Sequence, residues 1–166
     1  MVARRKVCML GSFAVGKTSL VERFTQGIFS GQYLTTVGVK IDTRDIDVDG
    51  RPTKLVVWDL HGDDVFQKVR PAYVRGAAGC LFVVDGTRTS TLDVLPELRE
   101  RVLAHAGPIP HAVVLNKVDL ADELIVTPDA IRTQLPRVDV HPTSAKTGEG
   151  VETAFVALVR RMEQDK

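Results

Sequence analysis

The chain has 166 residues with a net charge of +1 and is 44% hydrophobic, which suits a single domain, residues 1–166, with a proper core. That charge balance excludes the strongly basic signature of nucleic-acid or acidic-membrane binding, and no run is long and apolar enough to span a membrane. The basic start Arg4-Arg5-Lys6 leads into an apolar run that Gly11 cuts short, which is not a signal peptide, and Cys8 and Cys80 sit inside apolar runs, as buried thiols of a reducing, cytoplasmic protein would.

Lys6 to Leu10 reads as a short strand, and Ser19 to Phe24 as a helix. Between them Gly11-Ser12-Phe13-Ala14-Val15-Gly16-Lys17-Thr18 fits the phosphate-binding loop G-x-x-x-x-G-K-[ST] without mismatch. The glycines let the N–H groups of Ser12 through Ser19 curl around a phosphate at a helix N-terminus. Lys17 is placed to reach the β- and γ-phosphates, and the Thr18 hydroxyl to ligate Mg²⁺. Gly27 to Thr36 reads as a loop, and Val37 to Ile41 and Ile46 to Val48 as strand. Asp49-Gly50 signals a hairpin with Lys54 to Trp58 returning. After a loop from Asp59 to Asp64, Val65 to Arg75 reads as a helix interrupted by Pro71.

Cys80 to Val84 and His111 to Leu115 read as buried strands, with a helix from Ser90 to Ala106 between them to which Pro96 is an objection. Thr127-Pro128-Asp129 looks like an N-cap followed by Pro at the first helical position, Val138 to Val140 like a short strand, and Val151 to Met162 like an amphipathic helix. Such alternation predicts a three-layer α/β fold of the phosphate-loop type, its six-stranded sheet mostly parallel with one antiparallel edge strand.

Three more motifs follow strands. Asp59-Leu60-His61-Gly62 is D-x-x-G, with Asp59 placed to hold Mg²⁺ through water and the Gly62 N–H to meet a γ-phosphate. Asn116-Lys117-Val118-Asp119 is N-K-x-D, in which Asp119 can accept hydrogen bonds from the guanine N1–H and 2-amino groups, which adenine lacks. Ser144-Ala145-Lys146 follows the last strand and brings the Ala145 N–H to the base oxygen. Ligands of such sheets bind at the carboxyl ends of strands, where all of these motifs fall.

With these motifs, and with Tyr33-Leu34-Thr35-Thr36-Val37-Gly38-Val39, Val57-Trp58-Asp59 and Tyr73-Val74-Arg75-Gly76-Ala77, the chain resembles the Ras-like small GTPases, nearest to the Rab group, over essentially its whole length. The resemblance implies a GTP/GDP switch with Mg²⁺ held by Thr18, Thr36 and Asp59, with Thr36 also contacting the γ-phosphate. It implies Phe29 packing against guanine, Tyr33 covering the phosphates, and effector, exchange-factor or activating proteins meeting the switch regions. Ile41 and Val74 stand where Rab proteins carry aromatics, which leaves Trp58 alone of that surface cluster. There is no C-terminal cysteine box and no Met-Gly start, so the expectation is a bacterial-type relative without a membrane anchor of its own.

Two departures touch the chemistry. Asp63 stands where the family has a Gln that orients the attacking water; an ionised Asp cannot donate to the charge developing on the γ-phosphoryl oxygens. Phe13 stands where the family has a small residue, crowding the same space, and His61 is a candidate substitute for polarising water. Asp64 with Gln67 reads as a capping box. The catalytic candidates are therefore Lys17, Thr36, His61, Gly62 and Asp63, and a GTP-binding scaffold with negligible hydrolysis is the alternative to the switch.

Overall fold

Strands that are apolar on both sides need cover on both faces. In β1 (Ala3–Leu10), Val7 and Met9 face one core cluster while Cys8 and Leu10 face the other, and every residue of β5 (Gly79–Asp85) is buried. The computed structural model describes residues 2–25, 32–34, 39–60 and 70–165, the side chains of 32–34 excepted. With β2 (Gln32–Leu34), β3 (Val39–Val48), β4 (Arg51–Leu60), β6 (His111–Asn116) and β7 (Asp139–Pro142), the strands form one sheet in the order β2-β3-β4-β1-β5-β6-β7.

The central strands are parallel and β3 is antiparallel to β4, as the sequence pattern implies. One detail differs: β2, expected as loop, pairs antiparallel outside β3, so the sheet has seven strands among the described residues and β3 is not its edge. Main-chain pairing with an otherwise open edge drives this, whatever the polarity of the added residues.

Helices α1 (Lys17–Phe24) and α6 (Val151–Gln164) cover one face; α2 (Pro71–Val74), α3 (Ser90–Asp93), α4 (Leu95–Ala106) and α5 (Pro128–Gln134) cover the other. The helix expected over 90–106 is divided at Val94, because Pro96 has no N–H with which to continue the hydrogen-bond ladder. Arg70 is extended and α2 begins at Pro71, where the missing N–H costs nothing; residues 65–69 of the expected helix lie outside the described residues. The Asp49-Gly50 turn has positive φ at both residues, 55° and 78°, the geometry a two-residue hairpin demands. Thr127 caps α5 by accepting from the Ala130 N–H at 3.1 Å.

Through residues 42–45, β3 joins the two runs that the sequence marks as strand, although two of its inward-facing residues are charged. Lys40 and Asp42 are buried, 3.5 Å apart, and Glu22 on α1 lies 3.5 Å from the same ammonium. The surface cluster is also corrected. Val74 is fully buried, whereas Tyr73 stays partly exposed and packs with Ile41 and Trp58 against the same core, so Trp58 is not the sole aromatic there.

Phe24 of α1 stacks on Phe155 of α6, with centroids 3.9 Å apart and planes within 10°, and both rings are buried. Phe155→Ala removes a ring that the tightly packed layer cannot refill, and should lower stability by about 3–5 kcal/mol in urea unfolding. A loss under about 1 kcal/mol would show that the two helices do not depend on this contact.

Candidate functional site

The phosphate loop connects the end of β1 to α1, and its shape follows from what its neighbours leave open. Gly16 has φ 102°, and a Cβ there would run into the Asn116 side-chain nitrogen. Lys17 turns back over the loop, its ammonium donating to Gly11 O (2.9 Å) and Ser12 O (3.1 Å). Burial pushes the Lys17 pKa down, and the nearby Asp59 charge acts against that. Thr18 Oγ1 donates to Asp59 Oδ2 at 2.6 Å, which joins α1 to the end of β4. A cleft of about 350 Å³ opens here, lined by Phe13, Ala14, Gly16, Lys17, Thr18, Ser19 and Lys117.

The second half of the site comes from the ends of β6 and β7. Asn116, 1% exposed, donates through Nδ2 to Val15 O (2.9 Å) and accepts through Oδ1 from Thr143 Oγ1 (3.1 Å) and the Ala145 N–H (3.2 Å). One amide thus ties the phosphate loop to both loops expected to read a base. The Ala145 donor that was expected at the base oxygen is held in this network. Ser144 Oγ donates to Asp119 Oδ1 at 2.8 Å and so fixes the carboxylate's orientation. Lys117 Nζ donates to Ala14 O (3.0 Å) and pairs with Asp85 Oδ2 (2.9 Å).

The structure therefore brings together Ser12 through Ser19, Asp59, Asn116, Lys117, Asp119, Ser144 and Ala145, with Lys146 in the same loop. Phe29, Thr36, His61, Gly62 and Asp63 lie outside the described residues, as does the Tyr33 side chain. Phe13 is 69% exposed, so its ring stands clear of the core at the cleft. Thr18 and Asp59 offer hard oxygen donors, a hydroxyl and a carboxylate, which is the chemistry Mg²⁺ takes.

Two further contributors escape motif reading. Asp85, 1% exposed at the end of β5, accepts from Thr87 N, Thr87 Oγ1, Arg88 Nε and Lys117 Nζ, and these donors outweigh its burial to hold its carboxyl below the usual carboxylate range. A charged residue closing an all-apolar strand is the signal that could have found it. Arg23 on α1 donates to Ala145 O (3.0 Å) and to Lys146 O, bracing the last loop. Nothing local in the sequence marks Arg23.

A mostly parallel α/β sheet with a phosphate loop braced against an N-K-x-D loop defines the class of small nucleotide-binding G domains. The Ras family model matches residues 6–164. Ras-related protein Rab7 of Drosophila melanogaster is 35% identical over 162 residues, covering 93% of this chain and 78% of the relative. Ras-related protein RAB1BV of Beta vulgaris is 32% identical, covering 96% and 76%, and Ras-related protein RIC2 of Oryza sativa subsp. japonica is 34% identical, covering 95% and 74%. The chain belongs to the Ras family of small GTP-binding proteins.

Gly16→Ala should displace Asn116 and disorganise both halves of the site together. The expected result is loss of GDP binding in calorimetry with the fold retained by circular dichroism. Unaltered binding would show that the loop does not need this close approach.

Proposed function

We propose that the protein is a guanine-nucleotide switch that binds GTP and GDP with Mg²⁺ and hydrolyses GTP slowly to GDP and phosphate. The observation that supports this is the Asn116 bridge, which ties the G-x-x-x-x-G-K-T loop to the N-K-x-D loop and to the loop whose Ser144 holds Asp119. Lys17 and the N–H groups of the loop balance the polyphosphate charge, and Asp119 pairs with the guanine N1–H and 2-amino groups. Thr18 and Asp59, with Thr36, would hold Mg²⁺, which when bound neutralises charge on the phosphate oxygens. Thr36 and Gly62 sense the γ-phosphate, so that its loss releases both switch segments to a different set of effector, exchange or activating proteins. Phe29 and Tyr33 flank the nucleotide in this reading. The protein works in the cytoplasm, where Cys8 and Cys80 stay thiols, and no helix among the described residues is long and apolar enough to cross a membrane.

In hydrolysis, water attacks the γ-phosphorus as the bond to the GDP oxygen breaks, and the water's protons leave with phosphate and solvent. Positioning and charge stabilisation carry most of this step. Asp63 adds charge of the wrong sign and lacks a donor, and exposed Phe13 occupies the space where a corrective side chain would enter. His61 is the remaining group able to polarise the water. Phe13 and Asp63 favour a second reading, a GTP-bound scaffold with negligible turnover.

Single-turnover hydrolysis should proceed no faster than on the order of 10⁻⁴ s⁻¹, the slow end of intrinsic Ras hydrolysis. Phe13→Gly combined with Asp63→Gln should accelerate it more than the product of the two single effects, since both act in one volume. A fast parent slowed by His61→Ala would show another route to the transition state. Chromatography of nucleotide extracted from the purified protein tests the reading itself: GTP or GDP is expected, and adenine nucleotide would overturn it.

Replacing GDP by a non-hydrolysable GTP analogue should slow amide exchange across Gly31 to Val37 and Gly62 to Arg70. Thr36→Ala should abolish most of the first effect while leaving GDP affinity nearly intact. Identical exchange in both nucleotide states would favour the scaffold.

A further inference from the structure

We propose that Arg88 is a positioning residue of the phosphate loop, aiming the Ala14 N–H into the nucleotide cleft. The inference rests on the guanine-nucleotide reading and adds to it a residue that none of the motifs contains.

Ala14 has φ 61°, a left-handed conformation that non-glycine residues rarely hold unless their surroundings impose it. Two cations impose it here. Arg88 Nη2 donates to Phe13 O at 2.8 Å, and Lys117 Nζ donates to Ala14 O at 3.0 Å. Both are anchored on one buried oxygen, Asp85 Oδ2, at 2.9 Å each. The other oxygen, Oδ1, is engaged by the Thr87 N–H (2.8 Å) and hydroxyl (2.7 Å), so the carboxylate cannot rotate without breaking several bonds.

The consequence follows from peptide geometry. Across a trans peptide the C=O and the next N–H point in opposite directions, and no peptide among the described residues is cis. Holding the Phe13 carbonyl from outside the loop directs the Ala14 N–H the other way, and holding the Ala14 carbonyl does the same for Val15. Arg88 does not line the cleft, whereas Phe13, Ala14 and Lys117 do. It therefore acts through the peptide and does not touch the phosphates. Lys117 belongs to the N-K-x-D motif, and Arg88 supplies the matching grip one residue earlier. The cradle is thus set before nucleotide arrives, which reduces the ordering cost of binding.

The test uses the full chain loaded with fluorescent N-methylanthraniloyl-GDP or the corresponding inosine nucleotide and chased with excess unlabelled GDP. Inosine diphosphate keeps both phosphates and lacks only the 2-amino group. Arg88→Ala removes a charge-assisted hydrogen bond and should release both nucleotides about tenfold faster, leaving the ratio of the two rates at its parent value. Arg88→Lys should fall between, because an ammonium keeps the charge without the fork that spans Asp85 and Phe13. Release at the parent rate from Arg88→Ala overturns the inference. So does a changed ratio, which would mean a general loosening that reaches the base loop. If Arg88→Ala does not fold, Arg88→Met keeps the stem and is judged by the same two results. A parent protein that fails to retain either nucleotide would instead sink the guanine-nucleotide reading.

Discussion

The buried side-chain amide of Asn116 is the contact on which the rest of the site depends. It uses Nδ2 on Val15 O and Oδ1 on Thr143 and Ala145, joining three loops that are far apart in the chain. A buried amide left without these partners costs about 1–3 kcal/mol, so the loops are stable chiefly in this one arrangement. That is why the absence of a Cβ at Gly16 matters: the amide can reach Val15 only because nothing stands in between.

Around this amide, positive charge is concentrated at the cleft and buried acids stand behind it. Lys17 is turned onto the loop's own carbonyls and Lys117 onto Ala14 O, while Asp59 and Asp85 stand behind as buried counter-charges. Asp85, with its carboxyl held below the ordinary range, contributes stability that is fully present above about pH 4 and fades as pH falls through the lowered value. In the proposed reading, phosphate oxygens would replace the loop carbonyls that now accept from Lys17.

The legible parts of the site were those written contiguously. Gly11 to Thr18 and Asn116 to Asp119 each carry their defining residue types within one short stretch, so spacing sufficed to find them. Arg88 and Arg23 act across loops on carbonyls 75 and 122 residues away, distances that only the packing of β1, β5, β6 and β7 in one sheet sets. For the fold, hydrophobic periodicity located the central strands and the two apolar runs of β3 but did not mark 42–45 between them, because it assigns charge to the outside and the buried Asp42 pairs with Lys40. These two point inward and neutralise each other. The three-residue strand β2 had no side-chain pattern to find, since its pairing is a main-chain property.

The central claim is that Asp119, oriented by Ser144 and tied through the Asn116 network to the phosphate cradle, reads guanine. Competition binding of GDP, ADP and XDP to the parent and to Asp119→Asn tests it most directly. The parent should prefer GDP to both competitors, and the variant should lose GDP affinity and turn to XDP, whose 2-oxygen accepts from the new amide. Equal affinity of the parent for ADP and GDP would contradict the account.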